Sequence, residues 1–298
     1  MEHCTRQGVQ LAMRGRGAWR VRDALAFASR ELGLAGVGEP AREARRLLSF
    51  AYLQAFSPLG PEERLPPFFS RRFRSLVTCR ARGVPLPLIE GRVGFLDFEL
   101  KVRPGVFIPR PETEELAERA VALARRLPPR PRALDLGTGT GALAIAIARA
   151  RPDIRVLAVD RSPTALACAA WNARALGLED RLQLKASNWF SQVEGRFHLI
   201  VSNPPYVRHG ELLSLPREVR GFDPKLALDG GKDGLEAIKH ILTHAPEHLY
   251  PGGWLLLEIG AGQGEEVMRF ALDRVGLVET KLERDIAGKE RFFLARCR

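Results

Sequence analysis

The sequence predicts an α/β protein in which a small N-terminal helical domain is joined by a β-hairpin to a Rossmann-like domain. Three patterns indicate this fold. Apolar residues recur at helical spacing up to residue 82, alternate as in strands from residue 87 to 103, and then form short strands between helices. Strands that alternate with helices form mostly parallel sheets covered on both faces. The 298 residues suffice for one large and one smaller domain.

Composition and charge narrow the class of protein. The net charge of +11 favours an acidic partner, such as a ribosome, a nucleic acid or a factor that acts there, although an arginine-rich proteome would give the same value. The four cysteines contain no CxxC pair, which argues against a zinc ribbon. No apolar run approaches the ~20 residues of a membrane span, and residues 1–17 lack the apolar segment of a secretory signal. We expect a cytoplasmic monomer without membrane contact.

The first part of the chain is predicted to be helical. Residues 1–17 are expected to form a disordered tail and residues 18–85 a helical domain. An apolar stripe at helical spacing marks its first helix: Val21, Leu25, Ala28 and Leu32. Strand-like alternation then predicts a linking β-hairpin at residues 86–103. The second domain covers residues 104–298 and begins with a helix from about Pro111 to Leu127, which has proline and acidic residues in its first turn.

The second domain is predicted to alternate strands with helices. Because ligands bind at the carboxyl ends of parallel strands, the residues that follow each strand are the candidates for a site. The helices are predicted at residues 141–151, 163–176, 233–249 and 263–275. The strands are Ala133–Leu136, Val156–Asp160, Leu182–Lys185, Leu199–Ser202, Trp254–Ile259, Val278–Glu283 and Arg291–Ala295.

A glycine-rich loop follows the first of these strands. It reads Gly137-Thr138-Gly139-Thr140-Gly141, and glycines let a backbone turn tightly and approach a ligand closely. The next strand ends in Asp160, an acid at the place where a carboxylate can accept both ribose hydroxyls of a nucleoside. The loop and the acid together predict a nucleoside cofactor.

Asp135 indicates which nucleoside cofactor this is. It stands two residues before Gly137, where its negative charge would oppose the pyrophosphate of a dinucleotide. The same charge suits the ammonium and sulfonium groups of S-adenosylmethionine. Asp135 could instead only hold the loop through hydrogen bonds to backbone N–H groups, and both roles are compatible.

The tetrad Asn203-Pro204-Pro205-Tyr206 follows the fourth strand and predicts chemistry on a nitrogen. Two prolines keep the stretch extended and remove backbone donors. The side-chain oxygen of Asn203 and the carbonyl of Pro204 can then bind the two hydrogens of an amide or amino group and aim its lone pair at a methyl donor. Tyr206 can stack on the planar group. The alternative is a turn at the end of a strand, because Asn-Pro pairs mark turns.

The glycine-rich loop and the tetrad resemble those of class I methyltransferases that act on exocyclic amino or amide groups. Three further stretches resemble the HemK/PrmC family of protein-glutamine methyltransferases, and the resemblance covers residues 18–298. They are Phe107–Glu114, the segment Asp223–Gly231 with Asp233–Leu235, and Asp285–Arg291.

The resemblance implies transfer of a methyl group from S-adenosylmethionine to the glutamine of the Gly-Gly-Gln motif in class I release factors. The helical domain is expected to bind the release factor. It implies Asn203 and Pro204 as catalytic residues, and Pro205, Tyr206 and Arg110 as further substrate contacts. Asn188 stands where the family often has an acid, and its carbonyl can still accept from an adenine amino group. The implied cofactor contacts are Phe107, Pro111, Thr113, Asp135, Gly137, Thr138, Gly139, Thr140, Gly141, Asp160, Asn188, Trp189 and Asn203.

Two other functions remain open from the residues alone. An amino methyltransferase of RNA or DNA would share the tetrad and suit a basic chain, but DNA enzymes usually add a recognition domain that is absent from the sequence pattern. A non-catalytic binding module could keep the same fold. His240, His244 and His248 repeat every four residues on one predicted helix, but a metal site needs further ligands, so no metal is predicted.

Overall fold

A computed structural model describes residues 19–52, 60–273 and 276–298. The chain divides into two compact units, Met1–Gly91 and Arg92–Arg298. The predicted tail at residues 1–17 lies outside the described residues. No helix in the described ranges has both the length and the apolar character that crossing a membrane requires.

The first unit is helical, as predicted. Its helices are α1 (Val21–Leu34), α2 (Pro40–Tyr52), α3 (Pro67–Ala81) and α4 (Leu86–Glu90). Proline opens α2 and α3 because its fixed φ suits the first helical turn. The apolar stripe of α1 packs inward, with Ala28 and Leu32 fully buried. An ion pair between Arg80 and Glu43, 2.5 Å long, joins α3 to α2.

The predicted hairpin at residues 86–103 is wrong at its start. Residues 86–90 form the short helix α4, and Gly91 ends it with a φ of 73°, a left-handed conformation that suits glycine. The hairpin itself pairs β1 (Arg92–Phe95) with β2 (Phe98–Lys101) in antiparallel register. Phe95 and Leu100 are buried in the apolar core of the second unit, so the hairpin packs within that unit.

The second unit contains a seven-stranded, mostly parallel sheet, which confirms the predicted α/β fold. The strand order is β5-β4-β3-β6-β7-β9-β8, and the last two strands in that order are antiparallel to their neighbours. Its strands are β3 (Arg132–Leu136), β4 (Arg155–Asp160), β5 (Leu182–Ala186), β6 (Phe197–Ser202), β7 (Leu249–Glu258), β8 (Leu277–Arg284) and β9 (Glu290–Cys297).

Helices cover both faces of this sheet. Successive residues of a strand point to opposite faces, so Ile200 and Val201 of β6 belong to different apolar clusters. One cluster includes Leu116 and Ile145 from helices on one face, and the other includes Ile241 from the opposite face. The helices are α5 (Pro111–Arg125), α6 (Ala142–Ala150), α7 (Pro163–Ala175), α8 (Arg217–Phe222), α9 (Lys225–Leu228), α10 (Glu236–His248) and α11 (Gly264–Leu272).

Strand β3 is the point at which the chain reverses its direction across the sheet. It pairs in parallel with β4 on one side and with β6 on the other. The chain runs outward from β3 through β4 to β5 and then returns to β6. Such a reversal leaves a crevice at the carboxyl ends of the two strands, where ligands bind. The glycine-rich loop follows β3 and the tetrad follows β6, so both open onto this crevice.

The segment between β6 and α10 contains structure that the sequence patterns do not predict. It holds a 3-10 helix at His209–Ser214 and the short helices α8 and α9. Val207, directly after the tetrad, forms an isolated parallel bridge to Asp229, so the end of this segment lies next to the tetrad. This segment therefore forms one wall of the crevice.

Candidate active site

A cavity of about 480 Å³ lies in the crevice at the carboxyl ends of the parallel strands. Many predicted site residues line it together, although they are separated by up to 99 positions in the chain. They are Phe107, Thr113, Gly137, Thr138, Gly139, Thr140, Asp160, Asn188, Trp189, Asn203, Pro205 and Tyr206. Five others do not line the cavity, namely Arg110, Pro111, Asp135, Gly141 and Pro204.

The glycine-rich loop is held by its neighbours in the sheet. Gly137 and Thr138 both donate backbone hydrogen bonds to the carbonyl of Val159 in β4, at 2.9 Å. Gly141 has a φ of 85°, and a Cβ at this position would come within 3.2 Å of Ala169 in α7. Glycine is therefore needed at position 141 for its left-handed conformation and for the close packing against α7.

Asp135, at the end of β3, holds this loop through hydrogen bonds. It is fully buried, and its Oδ2 accepts hydrogen bonds from the Thr138 hydroxyl at 2.6 Å and the Ala144 N–H at 3.2 Å. Its Oδ1 is buried without a hydrogen-bond partner in the described chain. Burial raises the pKa of Asp135 to about 7, against the opposing effect of the two hydrogen bonds. Asp135 thus holds the loop through Thr138 and keeps one buried oxygen without a hydrogen-bond partner in the described chain.

Asp160 lies on the cavity with both oxygens partly engaged. Its Oδ2 accepts from the Gly139 N–H at 3.0 Å and its Oδ1 accepts from the Ser162 N–H at 2.8 Å. A carboxylate can accept about four hydrogen bonds, so each oxygen keeps capacity for one more. Two backbone bonds therefore orient Asp160 and leave it able to accept a pair of hydroxyl groups.

Trp189 and Asn188 form the side of the cavity beyond β5. Trp189 has a φ of 53°, a left-handed backbone conformation. This conformation costs free energy for a residue with a side chain and is often found at ligand-binding sites. The Ser187 hydroxyl donates to the carbonyl of Trp189 at 2.7 Å and stabilises this conformation. The indole ring then lies beside Gly137, and His240 of α10 lies 6.5 Å away between ring centroids. A flat apolar surface results, next to the exposed Asn188.

The tetrad is anchored by side chains from distant parts of the second unit. Asn203 Nδ2 donates to Thr113 Oγ1 of α5 at 3.1 Å, which leaves its side-chain oxygen as an acceptor. Tyr206 Oη donates to Glu258 Oε1 at the end of β7, at 3.0 Å. Gln263 Nε2 donates to the Tyr206 carbonyl at 3.0 Å. The tetrad is therefore fixed at both ends.

Glu258 and Gln263 are the site residues that the sequence reasoning missed. Glu258 is 1% exposed, and burial raises its pKa to about 7, while Tyr206 and Arg291 oppose the shift. Burial and Glu258 also raise the pKa of Tyr206, so its hydroxyl keeps its proton. The sequence signal that could have identified Glu258 is a charged residue at the end of a buried strand.

Arg110 is engaged by an acid rather than lying on the cavity surface. Its guanidinium pairs with Asp223, which also accepts from the Ile108 N–H at 3.3 Å. The guanidinium lies 5.6 Å from the ring centre of Phe107, which does line the cavity. The pair connects the segment before α5 to the segment after α8, and so holds two walls of the cavity together.

The three histidines of α10 pack against an aromatic ring. The ring of His248 stacks on Phe190 with centroids 4.7 Å apart, and His240 and His244 lie 4.3 Å apart. Within residues 19–52, 60–273 and 276–298, no group of three or more His, Cys, Asp or Glu residues could hold a metal ion. His240 alone of the three lines the cavity.

The chain is similar to known methyltransferases along most of its length. The Methyltransferase small domain matches residues 97–215, and the PrmC N-terminal domain matches residues 23–91. The hMettl16 catalytic domain, solved with the MAT2A 3'UTR hairpin 6, has a TM-score of 0.53 at 14% identity over 66% of this chain and 74% of that chain. This last similarity shows the fold alone.

Two relatives extend the similarity to nearly the whole chain. The release factor glutamine methyltransferase of Cereibacter sphaeroides is 43% identical over 281 residues, which are 93% of this chain and 98% of the relative. The protein of the same name from Moorella thermoacetica is 40% identical over 280 residues, or 92% of this chain and 98% of the relative. This chain therefore belongs to the release factor glutamine methyltransferase family.

Proposed function

We propose that this chain transfers a methyl group from S-adenosylmethionine to the side-chain amide nitrogen of the glutamine in the Gly-Gly-Gln motif of class I release factors. The names of its relatives support this substrate. The observation that carries the proposal is the anchored amide of Asn203, which presents an oxygen acceptor in a cavity next to a nucleoside-type loop. Since release factors act in translation, we infer that the enzyme works in the cytoplasm.

The residues of the cavity fit S-adenosylmethionine. Asp160 would accept the ribose hydroxyls, and Trp189 with Asn188 would contact the adenine. Backbone at Gly137 and Gly139 allows close approach, because both have left-handed φ angles and no side chain. The buried and unpaired Oδ1 of Asp135 favours a cationic group nearby. The bound cofactor supplies an electrophilic methyl group on a sulfonium.

The tetrad would prepare the glutamine nitrogen for transfer. An amide nitrogen is a poor nucleophile because its lone pair is delocalised into the carbonyl. The Asn203 oxygen would accept one of its hydrogens and help to turn the lone pair toward the methyl group, whereas Pro204, whose carbonyl the sequence predicts as the second acceptor, does not line the cavity. Tyr206 would stack on the planar amide. Positioning and stabilisation of the cationic nitrogen account for the rate, and no protein nucleophile is required.

Methylation of a purified release factor tests this function directly. The chain is incubated with labelled S-adenosylmethionine and a class I release factor, and the tryptic peptide that contains Gly-Gly-Gln is analysed by mass spectrometry. We expect a gain of one methyl group on the glutamine. A release factor with that glutamine replaced by alanine is the matched control. Label on RNA or DNA in place of the release factor would reject the proposal.

A further inference from the structure

Asn172 is a buried amide on helix α7 that the proposed chemistry does not use. It is 1% exposed and does not line the cavity. Asparagine is unfavourable in the interior of a helix, and a buried amide costs free energy unless its polar groups are hydrogen-bonded. The bonds that Asn172 makes should therefore explain its place in the fold.

The amide of Asn172 joins two segments that border the cavity. Its Oδ1 accepts from the Lys101 N–H at 2.8 Å, and its Nδ2 donates to the Lys101 carbonyl at 3.1 Å. The same Nδ2 donates to the Thr140 carbonyl at 2.9 Å. Because a backbone N–H only donates and a carbonyl only accepts, these three bonds fix the orientation of the amide. Both hydrogens of the NH₂ group are used, one on each segment.

Lys101 is the last residue of β2, and the chain that follows it forms one wall of the cavity. Val106 and Phe107 of this following segment line the cavity. Asn172 bonds both backbone groups of Lys101, as a neighbouring strand would. Cys168, one turn earlier on α7, donates its thiol to the same carbonyl at 3.3 Å. The end of β2 is thus tied to α7 where the wall begins.

Thr140 belongs to the glycine-rich loop, which forms another wall of the cavity. It is 2% exposed, so its carbonyl needs a hydrogen-bond partner within the protein. The adjacent Gly141 packs against Ala169 of α7, where an added Cβ would come within 3.2 Å. The hydrogen bond from Asn172 therefore acts where the loop already packs against α7.

We propose that Asn172 is a positioning residue for the cofactor cavity, because its amide holds the wall after β2 and the glycine-rich loop at a fixed separation. This role deepens the proposed function and rests on it for the identity of the cofactor. Asn172 acts through the Thr140 backbone and through the wall that includes Phe107. Loss of the amide should therefore weaken S-adenosylmethionine binding more than it slows methyl transfer at saturating cofactor.

Two substitutions at position 172 remove the donor to Thr140. Asn172→Asp keeps the shape but, when ionised, can only accept, whereas Asn172→Ala removes all three hydrogen bonds without adding charge. We expect the dissociation constant of S-adenosylmethionine, measured by calorimetry, to rise by about tenfold or more in both, because a buried carbonyl loses its donor. At saturating cofactor, kcat on the release factor should fall by less than about threefold.

The stoichiometry of binding separates positioning from a general structural role. A variant that is partly unfolded binds less cofactor per chain, whereas a positioning defect lowers the affinity of every chain. We therefore expect each variant to bind one S-adenosylmethionine per chain. Arg174→Ala is the matched control, because Arg174 lies on the exposed face of the same helix and pairs there with the exposed Glu179. Its dissociation constant should stay within about twofold of that of the unaltered chain.

The NH₂ group of Asn172 gives a readout that needs no methyl transfer. The chain contains three asparagines, at positions 172, 188 and 203, so asparagine-selective ¹⁵N labelling gives three NH₂ groups, which substitution of one asparagine at a time assigns. Coupling between two sites is reciprocal, so a bond that favours cofactor binding is itself stabilised by the bound cofactor. S-adenosylmethionine should therefore slow hydrogen exchange of the Asn172 NH₂ group by about tenfold, although Asn172 does not line the cavity.

The outcomes distinguish the two proposals. If the unaltered chain binds S-adenosylmethionine but does not methylate the release factor, the proposed function fails, and the affinities and exchange rates still test Asn172. If the unaltered chain is active and both variants bind the cofactor as tightly, Asn172 is not a positioning residue. Equal loss of kcat and affinity, or an exchange rate at Asn172 that the cofactor leaves unchanged, would also reject positioning. Should a variant fail to fold, the exchange rates in the unaltered chain decide.

Discussion

The glycine-rich loop and the tetrad both follow central strands of one sheet, but different parts of the chain hold them in place. The loop is supported by adjacent residues of β3 and β4, through the Val159 carbonyl and the buried Asp135. The tetrad is supported by Thr113, Glu258 and Gln263, which come from three distant elements. The proposed cofactor site is thus built mainly from local sequence and the proposed substrate site from long-range contacts, so the two sites should respond differently to substitution.

Asn203→Ala should give the largest effect and should act mainly on the rate. It removes an acceptor that is used in the transition state, so kcat should fall by roughly 100- to 1000-fold. Because Asn203 also borders the cofactor cavity, calorimetry of S-adenosylmethionine binding is measured in parallel, and we expect a much smaller change there. Unchanged methyl transfer in this variant would remove the chemical basis of the tetrad assignment.

Asp160→Ala should show the opposite pattern. The substitution removes two acceptors for the ribose hydroxyls and the hydrogen bonds that Asp160 receives from Gly139 in the loop and from Ser162. We expect the affinity for S-adenosylmethionine to fall by about 10- to 100-fold, with kcat at saturating cofactor reduced much less. Full affinity in this variant, measured by calorimetry, would show that Asp160 does not contact the cofactor.

Gly230→Ala tests how tightly the tetrad is packed by the segment that follows it. A Cβ at this position would lie 2.7 Å from the Gly234 carbonyl oxygen and 2.8 Å from that of Pro205. Neither backbone atom can move freely, so we expect a loss of about 2 to 3 kcal/mol in the free energy of unfolding. Gly210→Ala in the same segment meets nothing within 4 Å and is the matched control in urea denaturation. Equal stability of the two variants would contradict the close packing.

The stability of the chain should also depend on pH through Glu258. Burial raises its pKa from 4.5 to about 7, so the folded chain keeps a proton that the unfolded chain releases between these values. The contribution of Glu258 to stability therefore falls as pH rises through that window. Glutamine at position 258 is neutral at every pH. As pH rises from 5 to 8, the free energy of unfolding of Glu258→Gln should therefore increase by about 2 kcal/mol relative to that of the unaltered chain.

Urea denaturation at several pH values measures this difference, with Glu247→Gln as a control for the loss of a surface carboxylate. A constant difference between Glu258→Gln and the unaltered chain across this range would mean that Glu258 titrates as an exposed carboxyl does. Such a result would contradict the burial of Glu258.

The glycine-rich loop was predictable because its signals are adjacent in the sequence. A strand, a run of glycines and a helix start stand in direct succession, and the next strand ends in Asp160. The tetrad was likewise readable as a motif. Its supports were not, because Thr113 and Glu258 become partners of the tetrad only when α5 and β7 pack beside β6. Arg110 shows the same limit, since its pairing with Asp223 joins positions 113 residues apart.

The hairpin and the segment after the tetrad show why local patterns fail at short elements. The predicted hairpin began at residue 86, but residues 86–90 form a short helix, which follows Pro85 and ends at Gly91 in a left-handed conformation. The 3-10 helix and α8 bury no residues, so they carry no apolar period to detect. Their positions depend on hydrogen bonds such as that from Val207 to the Leu228 carbonyl.

The sequence by itself determined the order of the long helices and the strands of the second unit, the nucleoside-type loop with Asp160, and the tetrad, because each depends on the period of side chains or on neighbouring residues. Only the tertiary structure decided that Asp135 bonds the loop through Thr138, that Arg110 pairs with Asp223, that Thr113 holds the Asn203 amide, and that Glu258 holds the Tyr206 hydroxyl. Hydrogen bonds in a buried site join groups by distance in space, and that distance is set by how the sheet and helices pack.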